Sequence, residues 1–365
     1  MAENDTRPMY WSVFDHIAHK KAISINERLN EFVLEAKLAD RLGYDYYFTT
    51  EHHFSGDFTL SPSQPITLTV LAQVTENIRF GPLVIILPLV DPLRIVEEMT
   101  IIDHMSNGRL EIGVGRGIRE HEHLSFGIDP DTTNARVDEG LEVFRRAWTT
   151  TEGKFSYNGP FHQYFDVELP WQPLQQPHPR IWMPTNTPSR GEEWGRLGYA
   201  SGGFSFLGMD FYKPVAEAYE KGFAESGLPD DMFRWLWMAP TVIADTDEEA
   251  RELCYEAFYE QVGIFEYEAQ RTYEMADASH RPRLEAGFAR FQNMKDNLEE
   301  SDEALRFICG SPDTVIDKIR HVQSVMPMNM YMGEFSFGQL EWKHVERSME
   351  LLAGKVMPAF SRAKI

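Results

Sequence analysis

Cysteine is scarce in this chain. Among 365 residues only Cys254 and Cys309 are cysteine, far apart and in no metal-ligand spacing. A disulfide scaffold or a zinc module needs several at regular spacing, so both are excluded. Long apolar runs are missing too. The most apolar stretch, Leu83 to Val90, is shorter than the roughly 20 residues of a membrane-spanning helix, and it contains Pro88. Basic charge is in deficit: 35 Lys and Arg against 57 Asp and Glu leave a formal net charge of -22. Nucleic acids and anionic membranes are held through basic footprints, which excludes them as partners. Met1 to Asp5 are polar and acidic, unlike a secretory leader, so a reducing, cytoplasmic setting is expected. Gly-x-Ser-x-Gly and Gly-x-x-x-x-Gly-Lys-Ser/Thr are also absent, which removes the main support for an α/β-hydrolase or a nucleoside triphosphatase.

What is present points to a large α/β fold. Hydrophobic residues make up 42% of the chain, enough for a sizeable core, and 13% are aromatic, which suits a pocket for a flat ligand. Strand-like and helix-like segments alternate. Strands are expected at Trp11–Phe14, Asp45–Thr50, Ile78–Leu87, Arg109–Val114, Arg180–Pro184, Ala200–Leu207, Trp235–Ala244 and Met328–Phe335. The run Ile78–Leu87 is polar on neither face, as a parallel strand covered on both sides requires. Between the strands, Ser24 and Glu27 are spaced as a capping box, and Gly43 ends the helix they open. Further helices are expected at Gln64–Thr75, Asp91–His104, Asn134–Thr151, Ser189–Leu197 and Gln339–Leu352. About eight such units make a (β/α)8 barrel.

Two stretches interrupt the alternation. Gly153–Pro179, rich in proline and aromatics, reads as an extended excursion. Residues 256–300 are charged and helical in period. They read as an insertion: a lid or, the favoured reading, a solvated helical pair with no part in the site. Residues 1–365 are then one barrel domain carrying that insertion.

Four clusters are candidates for chemistry. Glu51-His52-His53-Phe54 directly follows a predicted strand, and the C-terminal strand edge of a parallel barrel is where catalysis is done. Histidine holds or releases a proton near neutral pH; the plain alternative is a strand cap in a wet loop. Gly113-Val114-Gly115-Arg116-Gly117-Ile118 fails the dinucleotide pattern at Ile118, but it sets a flexible backbone beside Arg116, which can pair bidentately with a phosphate. Thr185-Asn186-Thr187-Pro188-Ser189-Arg190 precedes a helix and offers either an anion site or an ordinary N-cap. His121-Glu122-His123 has a His-x-His spacing but no third ligand spacing, so no metal is expected.

Taken in order, these blocks resemble a known family. Glu51–Phe54, Ile85–Pro88, Ile102–Leu110, Gly113–Ile118, Phe126-Gly127 and Gly310-Ser311-Pro312 together look like the bacterial luciferase-like, flavin-dependent monooxygenases. The likeness runs from about Trp11 to Phe360, and its most specific block is Asp103–Arg109. It implies a (β/α)8 barrel that binds reduced FMN at its C-terminal mouth, usually as a homodimer. A separate flavin reductase would supply the reduced FMN. With O2 the flavin would oxygenate a small apolar organic substrate through a peroxyflavin. By position His52 matches the family's catalytic histidine, and Glu122 stands where luciferases have an aspartate. Arg116 matches a phosphate-holding arginine, and Asn186, Thr187, Ser189 and Arg190 match the second phosphate turn. Leu83-Val84 matches a cis peptide beside the flavin ring, although neither residue is proline.

Departures limit the transfer. Gly115 replaces the reactive cysteine of luciferases, so light emission does not carry over. Asn186 replaces an acid, and Arg190 a hydroxyl residue. Trp11, Phe14, Phe54, Phe58 and Phe204 are candidate walls of a substrate pocket, or plain core. Three other readings stay open. One is an F420-dependent oxidoreductase transferring hydride on the same fold, and another is a non-catalytic flavin-binding protein. The third is a metal-dependent hydrolase using His52, His53, His121 and Asp103.

Overall fold

The computed structural model describes residues 7–276, 278–279 and 281–361. Met1–Asp5 and, within the predicted insertion, Asp277 and His280 lie outside the described residues. In chain order the strands are β1 (Tyr10–Asp15), β2 (Tyr46–Thr49), β3 (Arg79–Pro82), β4 (Ile85–Ile86), β5 (Ile112–Gly115), β6 (Phe155–Asn158), β7 (Gln163–Val167), β8 (Ile181–Trp182), β9 (Ser201–Phe204), β10 (Trp235–Ile243), β11 (Ile308–Gly310) and β12 (Met330–Glu334). The helices are α1 (Ile25–Leu42), α2 (Gln64–Val74), α3 (Pro92–Met105), α4 (Glu120–Ser125), α5 (Thr133–Thr149), α6 (Pro188–Leu197), α7 (Met209–Ser226), α8 (Asp247–Met275), α9 (Arg281–Asp296), α10 (Leu298–Glu303), α11 (Pro312–Val325) and α12 (Trp342–Leu351).

The sheet closes on itself. β12, β1, β2 and β3 are paired in that order, and β10 joins β12 on one side and β9 on the other. β4, β5 and β8 form the remaining arc. Single parallel bridges, Phe80 to Leu110 and Trp182 to Ala200, link the two arcs. With β3 and β4 as two pieces of one staggered strand, the circuit is an eight-stranded parallel barrel, as the alternation predicted.

Side-chain alternation explains why both faces are apolar. Along β1, Tyr10 and Phe14 point into the barrel, while Trp11 and Val13 pack under the outer helices. Along β10, Leu236 and Met238 point in, and Trp235 and Trp237 point out. This is the period of two of any strand, with apolar neighbours on each side because helices cover the outside. The helix ends follow local chemistry. Ser24 Oγ accepts from the Glu27 N–H at 3.2 Å and Glu27 Oε2 accepts from the Ser24 N–H at 2.8 Å, which completes the capping box. Gly43 ends α1 at φ 77°, a left-handed conformation that suits glycine.

Four features differ from expectation. The apolar run Ile78–Leu87 is not one strand: it breaks between β3 and β4, where the Leu83–Val84 peptide is cis. The excursion at 153–179 contains the antiparallel hairpin β6–β7. β11, unforeseen, lies parallel to β10. The helical insertion starts earlier, at Asp247, and α8 crosses the C-terminal rim of the barrel. Cys254 and Cys309, remote in sequence, are both buried free thiols.

Candidate active site

The site forms where β1, β2 and β12, consecutive in the sheet, end at the C-terminal rim. His52 lies just past β2 and is 8% exposed. Its Nδ1 is 3.0 Å from Glu122 Oε1 on α4, and the His53 backbone N–H donates to the same oxygen at 2.8 Å. Glu122 is fully buried. Burial pushes the His52 imidazole well below its ordinary pKa, and the neighbouring Arg119 charge adds to this. Burial also raises the Glu122 carboxyl above its ordinary value. His53 turns away: its Nε2 is 3.1 Å from Glu51 Oε1.

A second ring of residues surrounds this pair. Phe58 stands edge-on to His52 at 4.6 Å, with the Arg119 guanidinium 3.9 Å over its face. Arg119 pairs at 3.0 Å with Glu268 of α8, which also accepts from the Ser55 hydroxyl. His121 Nδ1 contacts the Thr272 hydroxyl, also on α8, at 2.9 Å. Across Phe58 lies His16, whose Nδ1 is 2.6 Å from Glu334 Oε1. Gln261 of α8 donates to that same oxygen at 2.7 Å. The favoured expectation for the insertion therefore fails, because buried polar side chains of α8 are wired into the rim beside His52. They looked like the charges of a solvated helix because their partners are remote in sequence.

The residues expected to face a flavin gather on the adjoining arc. Leu83 lies inside the barrel with Val84 packed beside it. A Cβ on Gly115 would meet Val84 Cγ2 at 2.8 Å, and one on Gly113 would meet the Pro82 carbonyl oxygen at 2.1 Å. These glycines are therefore required by the close approach of β3 and β4 to β5, a role the sequence reading of a flexible loop did not include. Arg116 is exposed just beyond β5. Asn186, Thr187 and Ser189 are exposed beyond β8, the strand paired with β5, so both loops lie on one stretch of rim. Thr187 occupies the N-cap position of α6 without a side-chain capping bond. Asn186 Oδ1 accepts from the Tyr212 hydroxyl at 2.9 Å. Arg190 holds Asp138 at 3.0 Å and Glu193 at 2.9 Å.

Other candidates separate. Phe14 and Phe204 border the barrel interior and Phe58 borders His52. Phe54 is 57% exposed against Phe126. Trp11 is not a pocket wall. It points outward, fully buried against Tyr331 and Phe360, because strand alternation puts it on the helix side. Asp103 accepts from the Gln175 amide at 2.7 Å, while Arg109 binds the carbonyls of Ala72, Thr75 and Ile78 at the end of α2. Asn107 and Gly108 turn the chain between them at φ 55° and 78°. The block Asp103–Arg109 is thus a structural turn. Among the described residues no three His, Cys, Asp or Glu side chains are grouped as a metal site. His16, Arg119, Gln261, Glu268 and Glu334 escaped the sequence reading. A polar residue two positions past a predicted strand, as His16 is, was the available signal.

Comparison with known proteins agrees with this architecture. Residues 9–327 match the sequence model of the luciferase-like monooxygenases. A protein described as uncharacterized, y4wF of Sinorhizobium fredii, is 39% identical over 260 residues, covering 70% of this chain and 74% of its own. The oxygenase component of a flavin-dependent trigonelline monooxygenase from Acinetobacter baylyi is 27% identical, covering 98% of this chain and 97% of its own. Among solved structures, monooxygenase RslO1 from Streptomyces bottropensis superposes with a TM-score of 0.80 at 23% identity, covering 96% and 99% of the two chains. The oxygenating constituent of 3,6-diketocamphane monooxygenase from Pseudomonas putida, in complex with FMN, gives 0.74 at 21%, covering 98% and 100%. An F420-dependent tetrahydromethanopterin reductase from Methanopyrus kandleri gives 0.71 at 17%, covering 97% and 99%. At such identities these structures show the shared fold.

Proposed function

The chain belongs to the luciferase-like monooxygenase family, and from that premise we propose that it is the oxygenase component of a two-component flavin monooxygenase. It would take reduced FMN from a separate reductase, as the trigonelline relative's description as an oxygenase component suggests. Reduced FMN, when bound, supplies the activation of O2 for transfer of one oxygen atom to a small organic substrate. We further propose that the enzyme works as a cytoplasmic homodimer.

The observation that carries the reading is the buried His52–Glu122 pair. Glu122 accepts a backbone N–H and faces His52 Nδ1, so its carboxylate favours the tautomer with a proton on Nδ1. Nε2 is then left unprotonated, and burial keeps the ring neutral. His52 is thus suited to accept a proton or a hydrogen bond at Nε2, which narrows an acid-or-base role to a base. A protein that only stored flavin would have no use for such a pair.

The rest of the rim fits a flat ring bearing a phosphate. Leu83 and Val84 offer an apolar bed, and a side chain larger than glycine at 115 would crowd it. The uncapped first turn of α6 and the exposed Arg116 provide amide and guanidinium donors for a phosphate. Thr187, Ser189 and Asn186 add polar groups at the same turn. Arg190 can join only by exchanging its present carboxylate partners. Phe58 and α8 shield the His52 side of the rim from water.

The test is anaerobic titration with reduced FMN, followed by admission of air and rapid spectroscopy. Tight binding with flavin reoxidation slower than that of free FMN is expected. His52→Ala should bind FMN as before yet lose turnover; unchanged product formation would refute the role of His52. Hydride transfer with F420 is the second reading, favoured by the fold shared with the F420-dependent reductase. It would be preferred if the protein bound F420 and not FMN.

A further inference from the structure

His16 repeats, one strand over, the arrangement around His52. It follows β1 as His52 follows β2, and its Nδ1 faces Glu334 at 2.6 Å as His52 faces Glu122. Glu334 is 1% exposed and takes the Gln261 amide N–H on the same oxygen. That oxygen can only accept when the acid is ionised, so the His16 ring presents Nδ1–H to it and Nε2 is left as an acceptor. The two imidazoles flank one ring: Phe58 is 4.7 Å from His16 and 4.6 Å from His52. Phe14 and Phe265 complete an aromatic wall around His16. A second observation concerns the same cluster. Glu334 Oε2 and Gln261 Oε1 are buried acceptors with no hydrogen-bond partner. A buried acceptor left unpaired is destabilising, and functional sites are where proteins retain such atoms.

We propose that His16, backed by Glu334 and Gln261, is a binding and proton-accepting residue for the organic substrate, and that this substrate carries a hydroxyl or N–H donor on a flat apolar body. The inference rests on the oxygenase reading for what happens next to that substrate. The proton passes from the substrate's O–H or N–H to His16 Nε2, and Glu334 offsets the imidazolium charge. The electron pair stays on the substrate, which becomes a better target for an electrophilic oxygen. His52 is then left to serve the flavin side, so two proton-handling groups divide one reaction between them.

The test uses the intact chain and two matched probe pairs, p-cresol against 4-methylanisole and indole against 1-methylindole. Calorimetric titrations are run anaerobically, with and without reduced FMN. FMN affinity is measured first, so a failure of the flavin reading is distinguished from a failure of this subsite. In the wild type the donor member of at least one pair should bind about tenfold tighter than its methylated twin, the worth of one hydrogen bond. In His16→Phe that ratio should fall to about one, with FMN affinity held within about twofold. Circular dichroism checks folding, and Glu334→Gln, which preserves size, should lower the ratio as well if His16→Phe does not fold. Equal binding within both pairs, no binding by any probe, or a ratio that survives the substitutions would overturn the proposal.

Discussion

Removing the Glu268 carboxylate tests whether α8 is part of the site. Glu268 is 1% exposed and faces Arg119 at 3.0 Å, His121 at 3.6 Å and Arg271 at 3.4 Å, besides the Ser55 hydroxyl. Arg119 is almost as deeply buried, and that burial lowers its pKa. Deleting one partner of such a pair costs about 3–5 kcal/mol, because the surviving guanidinium keeps its desolvation penalty and loses its counter-charge. With an unfolding entropy of roughly 2.1 cal/mol/K per residue over 365 residues, Glu268→Ala should lower Tm by about 4–7 °C. An exposed pair would lose about 1 kcal/mol at most. The apolar double variant Arg119→Met/Glu268→Leu should recover much of the loss, since it leaves no charge stranded. Thermal scans of the three proteins measure this, and hydrogen exchange of the α8 amides locates it. On the proposed oxygenase function, a loosened α8 also admits water to the rim, so peroxide released per turnover should rise. If Glu268→Ala melted within about 1 °C of the wild type with unchanged α8 exchange, the contacts of Glu268 would carry no energy and the reasoning would fail.

Three further outcomes are expected. Burial holds His52 well below 6.5; with His52 in the proposed role of base, which needs its neutral form, kcat/KM should stay flat as pH falls to that value and decline only below it. An acid limb centred at or above 6.5 and traceable to His52 would refute this. Glu35 is fully buried on α1 with neither oxygen hydrogen-bonded, and burial together with the Asp15 charge raises its pKa well above 4.5. The folded state then keeps a proton that the unfolded chain gives up. This stabilisation is complete below pH 4.5 and is lost as pH rises towards the folded value. Glu35→Gln should therefore gain on the wild type between pH 5 and 8 in urea unfolding, and a difference independent of pH would contradict the assignment. Gly113→Ala places a Cβ 2.1 Å from the rigid Pro82 carbonyl and should cost about 3 kcal/mol or more. At Gly115 the obstacle is a Val84 methyl, so Gly115→Ala should melt higher than Gly113→Ala; the reverse order in thermal melts would refute the steric account.

The barrel was legible because its rules are local. Apolar strands covered on both faces, a Ser24–Glu27 box and a left-handed Gly43 declare themselves within a few residues. Where the reading failed, the deciding partner was distant or the pattern weak. Ile78–Leu87 looks continuous because hydrophobicity does not register a change of peptide geometry at Leu83–Val84. The β6–β7 hairpin was missed because its strands are short and mostly solvent-facing, with an irregular register between Phe155 and Tyr157. The most family-specific block, Asp103–Arg109, ties α2 and α3 to the chain entering β5, so specificity of sequence marked architecture and not chemistry.

The same distinction explains which half of the site was visible. Glu51-His52-His53-Phe54 concentrates its polar residues in one turn, so it stands out in sequence. The His16–Glu334 pair joins residues 318 positions apart, and each alone is an unremarked polar residue at a strand end. Only closure of the barrel, which sets β12 beside β1, makes them neighbours. Glu268 is hidden for a further reason. On a helix as charged as α8 it reads as solvated until the fold lays that helix across Arg119. In a closed barrel the first and last strands always meet. A polar residue ending β1 should therefore be read together with one ending the final strand before either is dismissed as surface.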